Sequence, residues 1–288
     1  MRKNILPPIL TILWGGVGFA LRRWQLATGF EPGTGLPVPG APAATALLVW
    51  SVLLIPVLIL LCWKMAPAKP WDQVLDASGN SLFLTAVVTG AFLLLVSAGA
   101  EAITLSATYR TSLSVLADGE TLGWTAAAMP PLRILLCAAG FPCALVWGQR
   151  LARRSPKRRE SLTLLELCLL FCVWLISDYQ VRAADPVTQD YVYAIFAIVC
   201  GLLGLYYIAG WSFQTGKPRR TVVFCLLGTY FAMVTLADRH TLAEITRYAF
   251  VILFLTAHAA LFLNPNPARR LESAPTEAVT EEEVPQDE

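Results

Sequence analysis

Apolar residues fall along the chain in eight runs, near 5–21, 44–63, 81–104, 129–148, 161–178, 190–211, 221–237 and 243–263, divided by short polar stretches. A helix needs roughly 17 to 25 largely apolar residues to cross a hydrocarbon core about 30 Å thick, and each run has that length. The pattern predicts an all-α chain, a polytopic transmembrane bundle of about eight helices. Pro7-Pro8 and Pro130-Pro131 stand at expected helix starts, where a missing N–H costs least. Thr241 and Glu244 have capping-box spacing before the last run, and Thr163 and Glu166 repeat it before the fifth. The third run continues past Glu101 towards Ala117, with Leu105, Tyr109, Leu113 and Leu116 at helical spacing. That stretch reads either as an extended helix end or as an amphipathic helix on the outer surface.

Composition agrees with a membrane setting. Apolar residues make up 56% of the chain and charged residues 15%, with mean hydropathy +0.58. An average soluble domain is roughly 25% charged, and a bilayer removes the need to hide so much apolar surface. The net charge of +2 gives no reason to expect a nucleic-acid partner. The seven cysteines (Cys62, Cys137, Cys143, Cys168, Cys172, Cys200 and Cys225) all fall inside apolar runs, as small packing residues and not as a disulfide framework.

Lys and Arg positions orient the bundle. With the N-terminus inside, Arg2, Lys3, Lys64, Lys69, the basic 150–159 loop, Lys217, Arg219, Arg220, Arg269 and Arg270 also face inside, fifteen of the twenty-two cations. Seven remain at outer positions: Arg22, Arg23, Arg110, Arg133, Arg182, Arg239 and Arg247. The opposite orientation would export the 150–159 loop, so both ends are expected in the cytoplasm. The start, Met1-Arg2-Lys3-Asn4 before an apolar run, resembles a signal peptide in outline but lacks a small-residue cleavage site, and it reads as an uncleaved first helix. Trp24, Trp124 and Trp174 suit an outer aromatic belt and Trp63, Trp71, Trp147 and Trp211 an inner one, whereas Trp14 and Trp50 lie too deep for either. Residues 264–288, rich in Pro and Glu, are expected to form a disordered acidic tail in the cytoplasm.

Polar chemistry concentrates on the expected outer side. The segment 22–43 is a long Gly- and Pro-rich loop in this reading, either a lid or a passive connector. Around it stand Glu101, Arg133, Asp178, Arg182, Asp238, Arg239, His240 and Arg247, with Glu244 opening the last run. Charge at membrane depth is costly, on the order of 2.5–3.5 kcal/mol at a helix centre, so such residues tend to face partners or water. They form the candidate outer cluster, with Glu101 and Arg133 at similar depth for pairing. Near the inner side, Glu166 and His258 form a candidate proton-relay pair if the fifth and eighth helices touch. The alternative for all of these is snorkelling or helix termination.

No phosphate-binding loop, His-Glu-x-x-His pair or nucleophile elbow is present, and the only histidines are His240 and His258. No cofactor, metal site or catalytic residue is expected. Gly15-Gly16-Val17-Gly18, Gly201 and Gly204 suggest close helix packing. At Arg22-Arg23-Trp24-Gln25-Leu26 through Thr34-Gly35-Leu36, at Asp185-Pro186 through Tyr191, and at Leu236-Ala237-Asp238, the chain resembles a group of polytopic membrane proteins of anaerobic Gram-positive bacteria that has no known activity. The resemblance implies a bacterial cytoplasmic membrane and transfers no substrate or site residue. Three function classes follow. One is binding or transport of a small solute or ion at the outer cluster, towards which the sequence leans. Another is an accessory or sensor protein acting through a partner at the 150–159 loop or the acidic tail. The last is an intramembrane enzyme on a lipid-linked substrate, which the missing motifs disfavour.

Overall fold

The computed structural model describes residues 6–63, 77–114, 123–153, 162–182, 187–213 and 215–263. These residues form eight helices: α1 (Leu6–Thr28), α2 (Pro42–Trp63), α3 (Ser81–Ser114), α4 (Trp124–Ala152), α5 (Leu162–Arg182), α6 (Thr188–Ser212), α7 (Pro218–Thr235) and α8 (Leu242–Leu263). Most of the basic 150–159 loop and the whole 264–288 tail lie outside the described residues. Six helices are long and apolar enough to cross a membrane, so the chain is a multi-pass membrane protein. The other two, α1 and α7, are less apolar: α1 contains Arg22 and Arg23, and α7 is only 18 residues long and opens on Pro218-Arg219-Arg220.

These two helices pack against each other. Almost every side chain of α7 from Thr221 onwards is buried, because α1, α2, α6 and α8 surround it. Its polar groups therefore meet protein and not lipid. Thr229 Oγ1 lies 3.1 Å from Thr256 Oγ1 of α8, and the Tyr230 hydroxyl 2.7 Å from Ser51 Oγ of α2. Beyond this core, α3 packs on α4 and α8, α4 on α5, and α5 on α6, while α1 and α2 form a hairpin laid across α7. Leu48, Val49, Val52, Leu53 and Leu60 of α2 are exposed, as suits a face turned to acyl chains.

Small residues set the spacing. A Cβ on Gly15 would lie 2.7 Å from Met233 Sδ and one on Gly18 2.8 Å from Val234 Cγ2, so these two glycines let α1 close on α7. Gly16 faces open space, which divides the glycine run by helical periodicity. Gly228 meets main chain as well: its Cβ would lie 2.8 Å from Leu255 Cδ1 and 3.1 Å from the backbone N of Gly201, so the glycine lets the α6 and α7 backbones come together.

The helices differ from the expected runs mainly at their charged ends. α1 continues through Arg22-Arg23-Trp24-Gln25 to Thr28, where the apolar run ends near residue 21, because Arg22 finds partners inside the fold. The loop thus begins near Gly29 and not at Arg22. α3 continues unbroken to Ser114, about 51 Å at 1.5 Å per residue, so the stretch beyond Glu101 is an extended helix end. α4 starts at Trp124, which puts Pro130 and Pro131 inside it and not at its start. A proline at 131 cannot donate to the carbonyl of Ala127, and the Tyr109 hydroxyl of α3 donates to that oxygen instead, at 2.6 Å. Trp14 and Trp50, too deep for a belt, stack with ring centroids 4.0 Å apart. Each indole N–H donates to the other residue's carbonyl at 3.1 Å, locking α1 to α2.

Replacing Gly228 with Ala tests the close approach of α6 and α7. Overpacking of this kind costs about 1–3 kcal/mol. The melting temperature of the detergent-purified protein is expected to fall by several degrees in Gly228→Ala and to hold or rise in Gly16→Ala, where the new methyl meets nothing.

Candidate functional site

One end of the bundle gathers the polar chemistry, because the odd-numbered helices end there and the even-numbered ones begin there. Beyond α1, residues 29–41 fold back as a compact loop. Glu31 N donates to Leu36 O at 2.9 Å and Val38 N to Gly29 O at 2.9 Å, with Phe30 and Pro37 in a single antiparallel bridge. Gly33 (φ 104°) and Gly35 (φ 69°) take backbone angles that side-chain-bearing residues rarely adopt, and this permits the tight reversal. Thr34 Oγ1 donates to Glu31 Oε2 at 2.9 Å.

Beneath this loop lies a cavity of about 920 Å³. Its charged wall is made by Arg23 of α1, Glu31 of the loop, Arg182 of α5, Asp190 of α6, and Asp238 and Arg239 after α7. His240 also reaches it, and Leu26, Ala27 and Phe30 supply an apolar side. The wall is held from behind by Arg22, whose side chain is wholly buried. Arg22 Nε donates to Asp238 Oδ1 at 2.7 Å, Nη1 to Gln25 Oε1 and to the Gln189 carbonyl, each at 2.9 Å, and Nη2 to the Asp190 carbonyl at 2.6 Å. Its guanidinium lies 5.4 Å from the Tyr193 ring centroid. One side chain thus ties α1 to the start of α6 and the end of α7. Arg22 was absent from the expected outer cluster because hydropathy alone places an Arg-Arg pair at a helix end.

A second group lies deeper, between α3, α4, α5 and α8. Glu101 bridges two arginines: one oxygen pairs with Arg133, and Oε2 accepts from Arg247 Nη1 at 3.1 Å. Arg133 Nη1 donates to Ser177 Oγ of α5 at 2.8 Å, and Arg247 lies over the Trp174 ring at 4.9 Å. Asp178 pairs with Arg182 one turn on, at 3.2 Å. The expected outer residues therefore divide between two levels. Glu101, Arg133 and Arg247 form the deep triad, Arg182, Asp238, Arg239 and His240 line the cavity, and Asp178 stands between as the partner of Arg182. Ring contacts join the levels, His240 to Tyr248 at 5.0 Å and Tyr248 to Trp174 at 4.9 Å.

The surroundings of His240 favour its charged form. Its Nε2 lies 2.7 Å from the Thr235 carbonyl, which requires an N–H there, and Nδ1 lies 3.5 Å from Glu244 Oε2. Burial favours the neutral ring, but Glu244, the Thr235 carbonyl and Asp238 outweigh it and raise the pKa above its ordinary value. Glu244 is fixed by the reciprocal capping box, with Thr241 N donating to Glu244 Oε2 at 2.8 Å and Glu244 N to Thr241 Oγ1 at 3.3 Å.

The inner pair is not brought together. His258 is fully buried with both ring nitrogens engaged, Nε2 accepting from Trp147 Nε1 at 3.0 Å and Nδ1 lying 2.7 Å from the Phe254 carbonyl. Glu166 instead faces α4 beside Gly140, and among the described residues its buried carboxyl oxygens have no hydrogen-bond partner beyond the Cys143 thiol of that helix. Since α5 already includes Leu162, Thr163 lies inside the helix, and Glu166 is no capping-box residue. Among the described residues, no group of three or more His, Cys, Asp or Glu side chains is arranged to hold a metal ion. No family model, curated protein or solved structure matches the chain.

Arg22→Met strands the Asp238 carboxylate, which is only 12% exposed, and breaking a buried pair from one side costs about 3–5 kcal/mol. Arg22→Met/Asp238→Asn is expected to recover most of that loss in thermal denaturation; a double variant no more stable than the single would rule the pair out as its source. For His240, a raised folded-state pKa gives stability that is complete below the ordinary value of 6.5 and is lost as pH rises through the raised value. Melting temperature should therefore fall as pH rises above 6.5 by more in the wild type than in His240→Asn.

Proposed function

We propose that the protein binds a small polar solute in the cavity beneath the 29–41 loop, on the outward side of a bacterial cytoplasmic membrane that its eight helices cross with both ends inside. The observation that supports this reading most is the construction of the cavity. Its wall draws charged side chains from four separated parts of the chain, under a folded loop, with an apolar side of Leu26, Ala27 and Phe30. A concave site with few, convergent polar groups against apolar surface is the form that ligand sites take.

The orientation rests on the excess of Lys and Arg at the opposite end. Beneath the cavity, the Glu101 triad ties α3, α4 and α8 together, and the His240–Tyr248–Trp174 rings connect the two levels. Occupancy of the cavity has a physical route to helix packing there, through contacts that a bound solute would press upon. That route serves a sensor coupled to a partner as well as a transporter. Uptake by proteoliposomes separates the two: accumulation of a bound solute marks transport, and binding without accumulation marks sensing.

A thermal-shift screen of the detergent-purified protein against ions, metabolites and lipid head groups tests the binding step. A ligand at a hundredfold excess over its Kd stabilises the native state by about 2.7 kcal/mol. Arg239→Ala and Glu31→Ala replace exposed wall residues, so they are expected to keep the unliganded melting temperature and change the size of the shift. A screen without any shift, or shifts unaltered in both variants, would overturn the reading.

A further inference from the structure

The charges around the cavity are unevenly satisfied, and this points to its ligand. Asp238 accepts from Arg22 Nε through Oδ1 and from the Thr235 hydroxyl, at 3.0 Å, through Oδ2. Asp190 Oδ1 lies 3.9 Å from Arg22 Nη2. Both aspartates of the wall thus face an arginine that stands behind it and does not line the cavity. Arg182 is likewise paired with Asp178, which is no part of the lining either. Glu31 accepts from Thr34 within the loop.

Two cations remain. Arg23 donates from Nη1 to the Ala237 carbonyl at 3.3 Å, and Arg239 stands two residues beyond that carbonyl. Among the described residues neither has a carboxylate within ion-pair distance. Both are exposed side chains lining the same hollow, at one rim, beside the apolar surface of Leu26 and Phe30.

We infer that the cavity takes an anionic ligand group of the phosphate or carboxylate type, held by Arg23 and Arg239. The inference rests on the proposed binding role and names the ligand class for that same site. A guanidinium offers planar paired donors that match a phosphate or carboxylate edge, and two of them supply more donors than one anion needs. The Leu26–Phe30 side suits an organic body attached to that group. Such an anion comes from either of two sources, a free solute in the aqueous phase or the head group of a lipid entering from the outer leaflet.

Titration calorimetry on the full-length protein in neutral detergent, at constant ionic strength, tests this with inorganic phosphate, succinate, dihexanoyl phosphatidate, glucose and choline. Phosphate, succinate or phosphatidate is expected to bind, with affinity at least tenfold weaker in Arg23→Gln/Arg239→Gln. Glu31→Gln, which removes an acid with no cationic partner among the described residues, is expected to tighten the same probe and serves as a second readout. Inorganic phosphate or succinate binding as tightly as phosphatidate assigns a free solute, and phosphatidate at least tenfold tighter assigns a lipid head group. Glucose or choline binding without any anion would overturn the anionic class and leave solute binding standing. No binding by any probe would overturn both, as would anion binding unchanged in the double arginine variant.

Discussion

Arg22 is entirely withdrawn from water at the end of α1, and the arrangement of this end of the molecule follows from what that demands. A buried guanidinium without partners is costly, so its donors must be answered from within the protein. Four hydrogen bonds answer them, from Asp238, Gln25 and the carbonyls of Gln189 and Asp190. Two of those partners fix the first turn of α6, and a third fixes the loop after α7. The cavity wall therefore rests on Arg22 even though Arg22 does not touch the cavity. Moving α1, α6 or α7 independently would expose or orphan a charge.

The same logic explains why α7, short and rich in Thr, sits at the centre. A helix that is polar by membrane standards is best shielded by other helices, whose side chains complete its hydrogen bonds. Gly15, Gly18 and Gly228 make that shielding possible by letting neighbouring backbones approach where a methyl group would collide. Lipid-facing apolar area is left to α2 and the outer faces of α1 and α3 to α5, whose exposed Leu, Val and Ile need no polar partner.

Helix number and order were legible because hydrocarbon thickness imposes a length on each apolar run, and all eight runs became helices. Helix ends were less legible. Hydropathy treats Arg22 as a stop, yet its partner Asp238 lies 216 positions further along the chain, and only the fold reveals that the charge is tolerated. The prolines at 130 and 131 misled similarly, since the hydroxyl that relieves Ala127 comes from Tyr109 on another helix. Within the candidate site, the pairing of Glu101 with Arg133 could be reasoned from equal depth on successive helices. The addition of Arg247 from α8 could not, because nothing local tells which distant helix lies alongside. Glu166 and His258 show the converse, two ionisable residues near one depth that turn towards different neighbours.

Among the described residues, the charges at this end separate into two kinds. Glu101, Arg133, Arg247, Asp178, Arg22 and Asp238 are answered inside the protein, and their strength goes into holding helices in register. A fully answered ion pair has little left with which to recognise anything else, because its best acceptor or donor is already in place. Among the described residues Arg23 and Arg239 have no such carboxylate, and both line the cavity beneath the 29–41 loop. A cation on an open surface is satisfied by water at no structural cost. Inside a hollow of limited volume, with apolar wall on one side, it competes for fewer water molecules and gains more from a ligand that brings its own charge. Recognition at this end is thus assigned to residues that a ranking by burial would pass over, and stability to the buried charges that such a ranking would select.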